Sequence, residues 1–366
     1  MTIEAATSYA PGEAPRGIAA ALAWVRRGFF SGPVSTAITI VLALGAAWIV
    51  PRLVDWALID AVWRPTSPDV CREAVGACWA VVVEKHRLIL FGTYPFDQQW
   101  RGWLVTAILF ALVIASVMPR FWSPGLMAAW AVGLGAALAL QFGGVLGLPY
   151  VPTEQWGGLP MTMLLFVGTV VGGLPLAILL ALGRRSALPA VRTISIGYIE
   201  VVRGIPLVNI LFVAALLFPL FMPEGVNFDK LLRAQIGMIA FFAAYAAEVV
   251  RGGLQAVAKG QYEAADSLGL GYWTRTRLIV LPQALRIVIP PLLNDVIRAF
   301  KNTSLLLIIG LFDILGATRA ALEDPNWARH YFEAYLFVAA LYFLFCFSMS
   351  RYSERMERTL ARGRSY

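Results

Sequence analysis

Charged residues are absent from long stretches of this chain. Residues 28–51, 102–119, 121–153, 155–183, 204–223 and 334–350 contain no Asp, Glu, Lys or Arg. A helix crossing about 30 Å of hydrocarbon needs ~20 mostly apolar residues, so each gap is a candidate span or most of one. Two further apolar stretches tolerate internal charge. The pattern predicts spans near 34–57, 103–119, 125–147, 159–182, 203–222, 234–252, 285–311 and 333–350. Lipid-exposed backbone must satisfy its own hydrogen bonds. The expected fold is therefore an all-α membrane protein of about eight transmembrane helices.

Composition agrees: 59% of the 366 residues are hydrophobic and 14% charged, with a mean hydropathy of +0.70. An ordinary soluble domain is excluded. A net charge of +8 would suggest nucleic acid in a soluble protein. Here basic residues kept in cytoplasmic loops account for it, so the expected partner is membrane lipid and not nucleic acid.

The same charges orient the spans. Arg351, Arg355, Arg358, Arg362 and Arg364 crowd the tail. Arg184, Arg185, Arg192 and Arg203 follow the fourth span, and Arg251, Lys259, Arg275, Arg277 and Arg286 follow the sixth. The intervening connections are acidic or balanced, so both termini are expected in the cytoplasm. Arg26 and Arg27 precede the first span, which reads as a retained anchor. The chain divides into a cytoplasmic N-terminus (1–27), three spans (28–150) with a long extracytoplasmic loop at about 59–102, a compact unit (155–354) and a cytoplasmic tail (355–366).

Chemistry-bearing residues are sparse. Cys71 and Cys78 share the 59–102 loop, where a disulfide and two free thiols are both open. His86 and His330 stand apart, giving no metal-binding spacing, and there is no GxxxxGK[ST] phosphate loop. Energy for uphill transport would come from an ion gradient or from another polypeptide.

Polar residues inside the spans are costly and hence informative. Glu248 follows fourteen uncharged residues, and Asp295, Arg298 and Lys301 recur every three residues on one helix face. Glu248 with Arg251, and Asp295 with Arg298, stand at pairing distance along a helix. "EVVRG" occurs twice, giving Glu200 and Arg203 the same relation. For Glu248 a structural ion pair and a place on a substrate path are equally open. Gly204-Ile205-Pro206 either breaks a helix, exposing N–H groups suited to a carboxylate, or merely kinks it. Gly143-xxx-Gly147 and Gly168-xxx-Gly172 would allow close helix contact. Trp100, Trp103, Trp122, Tyr150, Trp156 and Tyr335 fit an interfacial belt.

One polar segment lies between two spans. Residues 261–268 form about two helical turns, with Glu263 and Asp266 expected early, where the helix dipole favours acids. Gly269 is placed to cap the helix and reverse the chain. A second short helix, "YWTRTRLIV", follows, and Pro282 is expected to open the next span. Glu263-Ala264-Ala265, Gly269, Ile279, Leu281 and Pro282 reproduce the spacing EAA, three residues, G, nine residues, I-x-L-P. This resembles the EAA loop of type I ABC-importer permeases. "GYIEVVRGIPLV", "AEVVRGGLQAV", "LPQALRIVIPPLLN" and "KNTSLL" are similar to its polar amino-acid (histidine/glutamine) branch. The N-terminal part resembles the shorter permease of the general L-amino-acid importers of Gram-negative bacteria.

The resemblance covers about 155–360. It implies a five-helix permease core with a coupling loop at about 255–282, in which Glu263, Ala264, Ala265, Asp266, Gly269, Ile279, Leu281 and Pro282 transmit motion from an ATP-binding cassette dimer. It also implies a second homologous permease and a periplasmic amino-acid-binding protein. ATP and Mg would be held by the ATPase, and no cofactor or catalytic site by this chain, which would lie in the bacterial inner membrane. Candidate substrate contacts are Gly204, Asn209, Glu248, Asn302, Thr303 and Ser304. Glu200, Arg203, Arg251, Asp295 and Arg298 are expected as structural ion-pair residues. Competing readings are an ion-gradient-coupled amino-acid carrier and a non-transporting membrane scaffold.

Overall fold

A computed structural model of the chain describes residues 18–64, 70–145, 147–226 and 228–362. The expected N-terminal segment thus falls largely outside the described residues, as do the last four residues of the tail. The chain forms two compact units, one ending at Ala80 and one starting at Val81.

The first unit contains α1 (Ile18–Phe29) and α2 (Pro33–Val54), which continues through a π-turn to Ile59. Arg26 and Arg27 close α1, and Pro33 starts α2 where no N–H is needed. No residue of α2 is buried, as expected of a lipid-facing helix. Beyond it, Val62 bridges to Cys78, α3 (Val70–Glu73) follows, and Cys71 and Cys78 form a disulfide with Cα atoms 5.7 Å apart.

The second unit begins with α4 (Ala80–Phe91), a helix within the long loop. Ile89 is buried with Ile314, Ala321 and Val338, and Lys85 pairs with Asp324 at 2.7 Å. Then come α5 (Gln99–Val117) and α6 (Pro124–Phe142). The third span therefore ends five residues before the expected boundary. Gly143, at φ +68°, caps α6, so Gly143 and Gly147 are not on a helix face. Trp156 is buried, its indole N–H donating to Val151 O, and is no interfacial residue.

The core is built on α7 (Gly158–Arg184), against which α8 (Pro189–Gly204) and α10 (Lys230–Ala256) pack. The α7–α10 approach depends on glycine: a Cβ on Gly168, Gly172 or Gly173 would come within 3 Å of Gln235, Ile239 or Phe242. Between α8 and α10 lies α9 (Leu207–Phe212), which continues to Phe221. The expected span at 203–222 corresponds to Leu207–Phe221, and a bend of 103° at its start sets it off from α8. Pro206 supplies no N–H there, and Ile205 is extended, as a residue before proline prefers.

After α10 come α11 (Lys259–Ser267) and α12 (Tyr272–Arg275). The second short helix is not separate: it runs through a π-turn (Thr276–Val280) into α13 (Leu281–Asn302) and a final 3-10 stretch to Ile309. Pro282 stands in the first turn of α13, as expected, within a continuous helical stretch of 38 residues, Tyr272–Ile309. The π-turn, closed by Leu281 N–H donating to Thr276 O, shifts the hydrogen-bond register beside that proline. A two-residue strand, β1 (Phe312–Asp313), pairs with Gly157 and Gly158, and α14 (Ile314–Ala321) and α15 (Tyr331–Arg362) complete the unit. Among the described residues, seven helices are long and apolar enough to cross a membrane, or eight if the bent pair counts as one.

Candidate functional site

Two places bear on the expected coupling and substrate residues. The first is α11. Its helix starts at Lys259, so Glu263 and Asp266 do not lie in the first turn as expected. Glu263 instead pairs with Lys259 at 3.1 Å, and Asp266 near the C-terminal end bonds Arg275. Gly269 adopts φ +70°, a conformation costly to a residue with a Cβ. Its N–H donates to Asp266 O at 2.9 Å while Leu270 N–H reaches back to Ala265 O at 3.2 Å, closing the helix as αL glycine caps do.

Ala265 is the buried face of α11, whereas Ala264 and Glu263 are exposed. Of the remaining motif residues, Ile279 and Leu281 are half-buried and Pro282 is exposed. The helix is moored on both sides. Tyr262 donates to Leu254 O at 2.8 Å and accepts from Arg185 at 3.1 Å, tying α11 to α10 and α7. Gln283 donates to Gln261 at 3.1 Å, tying it to α13. Beside these ties Leu268 and Trp273 stand exposed. α11 is thus a small exposed platform fixed to three long helices.

The second place is a narrow cleft in the helix bundle, between α7, α10 and α13 and lined also by Leu207 of α9. Asp295, only 6% exposed, lines it. One carboxylate oxygen of Asp295 lies 3.2 Å from Arg298, and the other is buried with no hydrogen-bond partner. Asn302 lines the same cleft with Tyr245 and Thr169. Arg298 and Arg203 both lie against the Tyr245 ring, 5.4 and 5.5 Å from its centre. The cleft thus offers a free carboxylate oxygen and a guanidinium, groups that complement an ammonium and a carboxylate.

Residues expected to share a substrate path are not brought together here. Asn302 lies in the cleft, but Thr303 turns away, its hydroxyl donating to Phe300 O and meeting Tyr342 at 3.2 Å. Ser304 donates to Lys301 O. Asn209 is exposed on α9, and Gly204 has open space around its Cα. Glu248 is taken up by arginines: Arg251 at 2.7 Å, Arg184 at 2.8 Å and Arg203 at 3.8 Å.

The expected pairing within each "EVVRG" is half realised. Glu248 does pair with Arg251, but Glu200 binds Arg184 at 2.9 Å, and Arg203 turns to Glu248. Arg184 at the end of α7 is the residue that reorganises these pairs, and charge counting alone did not single it out. The same holds for Tyr245 and Tyr262, whose roles depend on how the helices register.

A family model described as "Binding-protein-dependent transport system inner membrane component" matches residues 173–362. The chain belongs to this family. It is 45% identical to the "Inner membrane amino-acid ABC transporter permease protein YhdY" of Escherichia coli strain K12, over 98% of each chain. It is 41% identical to the "Glutamate/glutamine/aspartate/asparagine transport system permease protein BztC" of Rhodobacter capsulatus, over 96% of each. A solved structure of "an amino acid ABC transporter with histidines" is 31% identical, with a TM-score of 0.50 over 55% of this chain and 92% of that one.

The chain is therefore a multi-span permease of an inner-membrane ABC importer family and not an ion-coupled carrier. Membership implies an ATPase and a substrate-binding protein as partners. The solved relative is matched almost end to end by just over half of this chain, whereas YhdY matches the additional length as well.

Proposed function

We propose that this chain imports amino acids as one of two homologous permeases seated on an ATP-binding cassette dimer, with a periplasmic binding protein delivering substrate. The observation that carries this reading is α11, a platform capped by a positive-φ glycine, moored to α7, α10 and α13 and bearing the EAA spacing. Glu263, Ala264, Ala265, Asp266, Gly269, Ile279, Leu281 and Pro282 belong to the coupling segment that carries ATPase motion into alternating access. ATP and Mg act on the ATPase, and this chain performs no catalysis of its own. Both termini face the cytoplasm, as the basic segments at 183–203, 251–286 and after 350 favour.

The charges lining the cleft favour an amino acid as substrate. An amino acid carries an ammonium and a carboxylate on one carbon, and Asp295 and Arg298 stand one turn apart with matching charge. The names of the two relatives also favour amino acids. The cleft residues replace Glu248, Thr303 and Ser304 as the first candidates, with Asn302 retained.

Gly269→Asp tests the coupling assignment. The substitution puts a Cβ and a charge at φ +70° on an open surface where nothing lies within 4 Å, so insertion and assembly of the membrane helices should persist. Uptake should be abolished and stimulation of ATP hydrolysis by the loaded binding protein lost. Undiminished uptake would remove α11 from the coupling path.

A further inference from the structure

At the proposed cytoplasmic end of the bundle, a second cavity of about 330 Å³ opens between α7, α8 and α10, lined by Arg184, Arg185, Arg192, Ile196, Arg251 and Gln255. Four guanidiniums meet here. The acids bonded to them are Glu200 and Glu248, which hold Arg184 and Arg251. Arg185 spends one nitrogen on Leu254 O and Tyr262, leaving its second terminal nitrogen uncommitted. The Arg192 side chain, one helical turn below Ile196, has no partner among the described residues. Concentrated and partly unpaired guanidinium is a receptor for an oxyanion, which it can bind through paired N–H donors.

We propose that this cavity is a binding site for a phosphate anion, filled by the phosphodiester of an anionic phospholipid of the inner leaflet. Two features favour a lipid over a soluble phosphate. The cavity lies at the ends of α7 and α10, two helices long and apolar enough to span, and Val191 and Ile194 of α8, with Leu188 just before it, are exposed around Arg192, an apolar rim suited to acyl chains. The site is also wired to the coupling platform: Arg185 holds Tyr262 of α11, so a phosphate that draws Arg185 into the cavity competes directly with that mooring. The headgroup thereby tunes how firmly α11 is held. This site is separate from the substrate cleft, and only its leaflet assignment rests on the orientation given above.

Native mass spectrometry of the intact importer complex in detergent tests this. Phosphatidylglycerol is added to the wild type and to Arg192→Gln and Arg192→Lys, with inorganic phosphate as competitor. Arg192 is exposed and unpartnered, so both variants should assemble normally. The expected result is bound phosphatidylglycerol on the wild type, roughly fivefold weaker retention in Arg192→Gln, the worth of one basic group at an anionic surface, and recovery in Arg192→Lys. Lipid that resists inorganic phosphate supports the lipid assignment. Lipid displaced by phosphate keeps the anion site but overturns its assignment to lipid. Equal retention by wild type and Arg192→Gln overturns the proposal.

Discussion

Asp313 is fully buried, caps α14 by accepting from Gly316 N–H at 2.9 Å, and accepts from the Tyr342 hydroxyl at 3.2 Å. Tyr342 in turn meets Thr303, which is why Thr303 serves the packing of α13, α14 and α15 and stays out of the cleft. Burial pushes the Asp313 carboxyl up from 3.8 to about 6. Because the folded value lies above the unfolded one, the folded protein holds more protons between them. The stabilising contribution is complete below 3.8 and is lost as pH rises through about 6. Asp313→Asn, neutral at every pH and still able to accept from Gly316, should remove this slope. Melting temperatures of the two proteins, measured from about pH 4 to about pH 7, should converge at the acid end. Parallel curves would mean that Asp313 is ionised throughout.

At the scale of elements, α6 depends on a residue of another helix. Arg101 of α5 is fully buried and donates to Leu140 O at 2.6 Å, Gln141 O at 3.3 Å and Pro149 O at 3.0 Å. It satisfies the carbonyls left over at the C-terminal end of α6 and places positive charge at the negative end of the helix dipole. Arg101→Met keeps the length but removes every donor. It should cost about 3 kcal/mol, as buried acceptors lose a charged donor, seen as a lower unfolding midpoint in detergent. An unchanged midpoint would mean that water replaces the guanidinium.

Elements of this kind also mark how far the sequence can be read. Charge-free gaps located nearly every span, because hydrocarbon imposes the same demand on each of them. The end of α6 was missed because Gly143 looked like a packing glycine, and only the backbone shows it as a cap. The break at Pro206 was open from the start: proline forbids a continued bond, but the size of the bend depends on what α8 packs against. In the sites, the EAA spacing was legible as a local pattern along one segment. The cleft was not, because Thr169, Tyr245 and Asp295 come from three helices whose relative rotation is set by the small residues of α7. Glu248 drew attention as a charge within a span and its pairing with Arg251 was legible, but its two other arginines lie 64 and 45 residues away.

The helices long enough to span expose much apolar surface, and among the described residues nothing covers the exposed side of α11. A permease of this form should not exist alone in its native membrane. Purification in mild detergent should therefore bring down an ATPase carrying a phosphate-binding loop and a second permease, in fixed proportion. Recovery of the chain alone, still moving amino acids in liposomes, would contradict the proposed assembly.

The length of Tyr272–Ile309 has a mechanical consequence. At 1.5 Å per residue its 38 residues span about 57 Å, against a hydrocarbon layer of about 30 Å. Its foot is bonded to α11 through Arg275 and Gln283, and Asp295 lies about 21 Å beyond Leu281. The helix is a lever: a tilt of about 10° at the foot would displace the cleft carboxylate by about 4 Å. Pro290 and Pro291 lie between the two points and remove two rungs from the ladder of hydrogen bonds. A joint at that point would absorb part of the tilt, so stiffening it with Pro290→Ala and Pro291→Ala should pass more of any motion at the foot to Asp295.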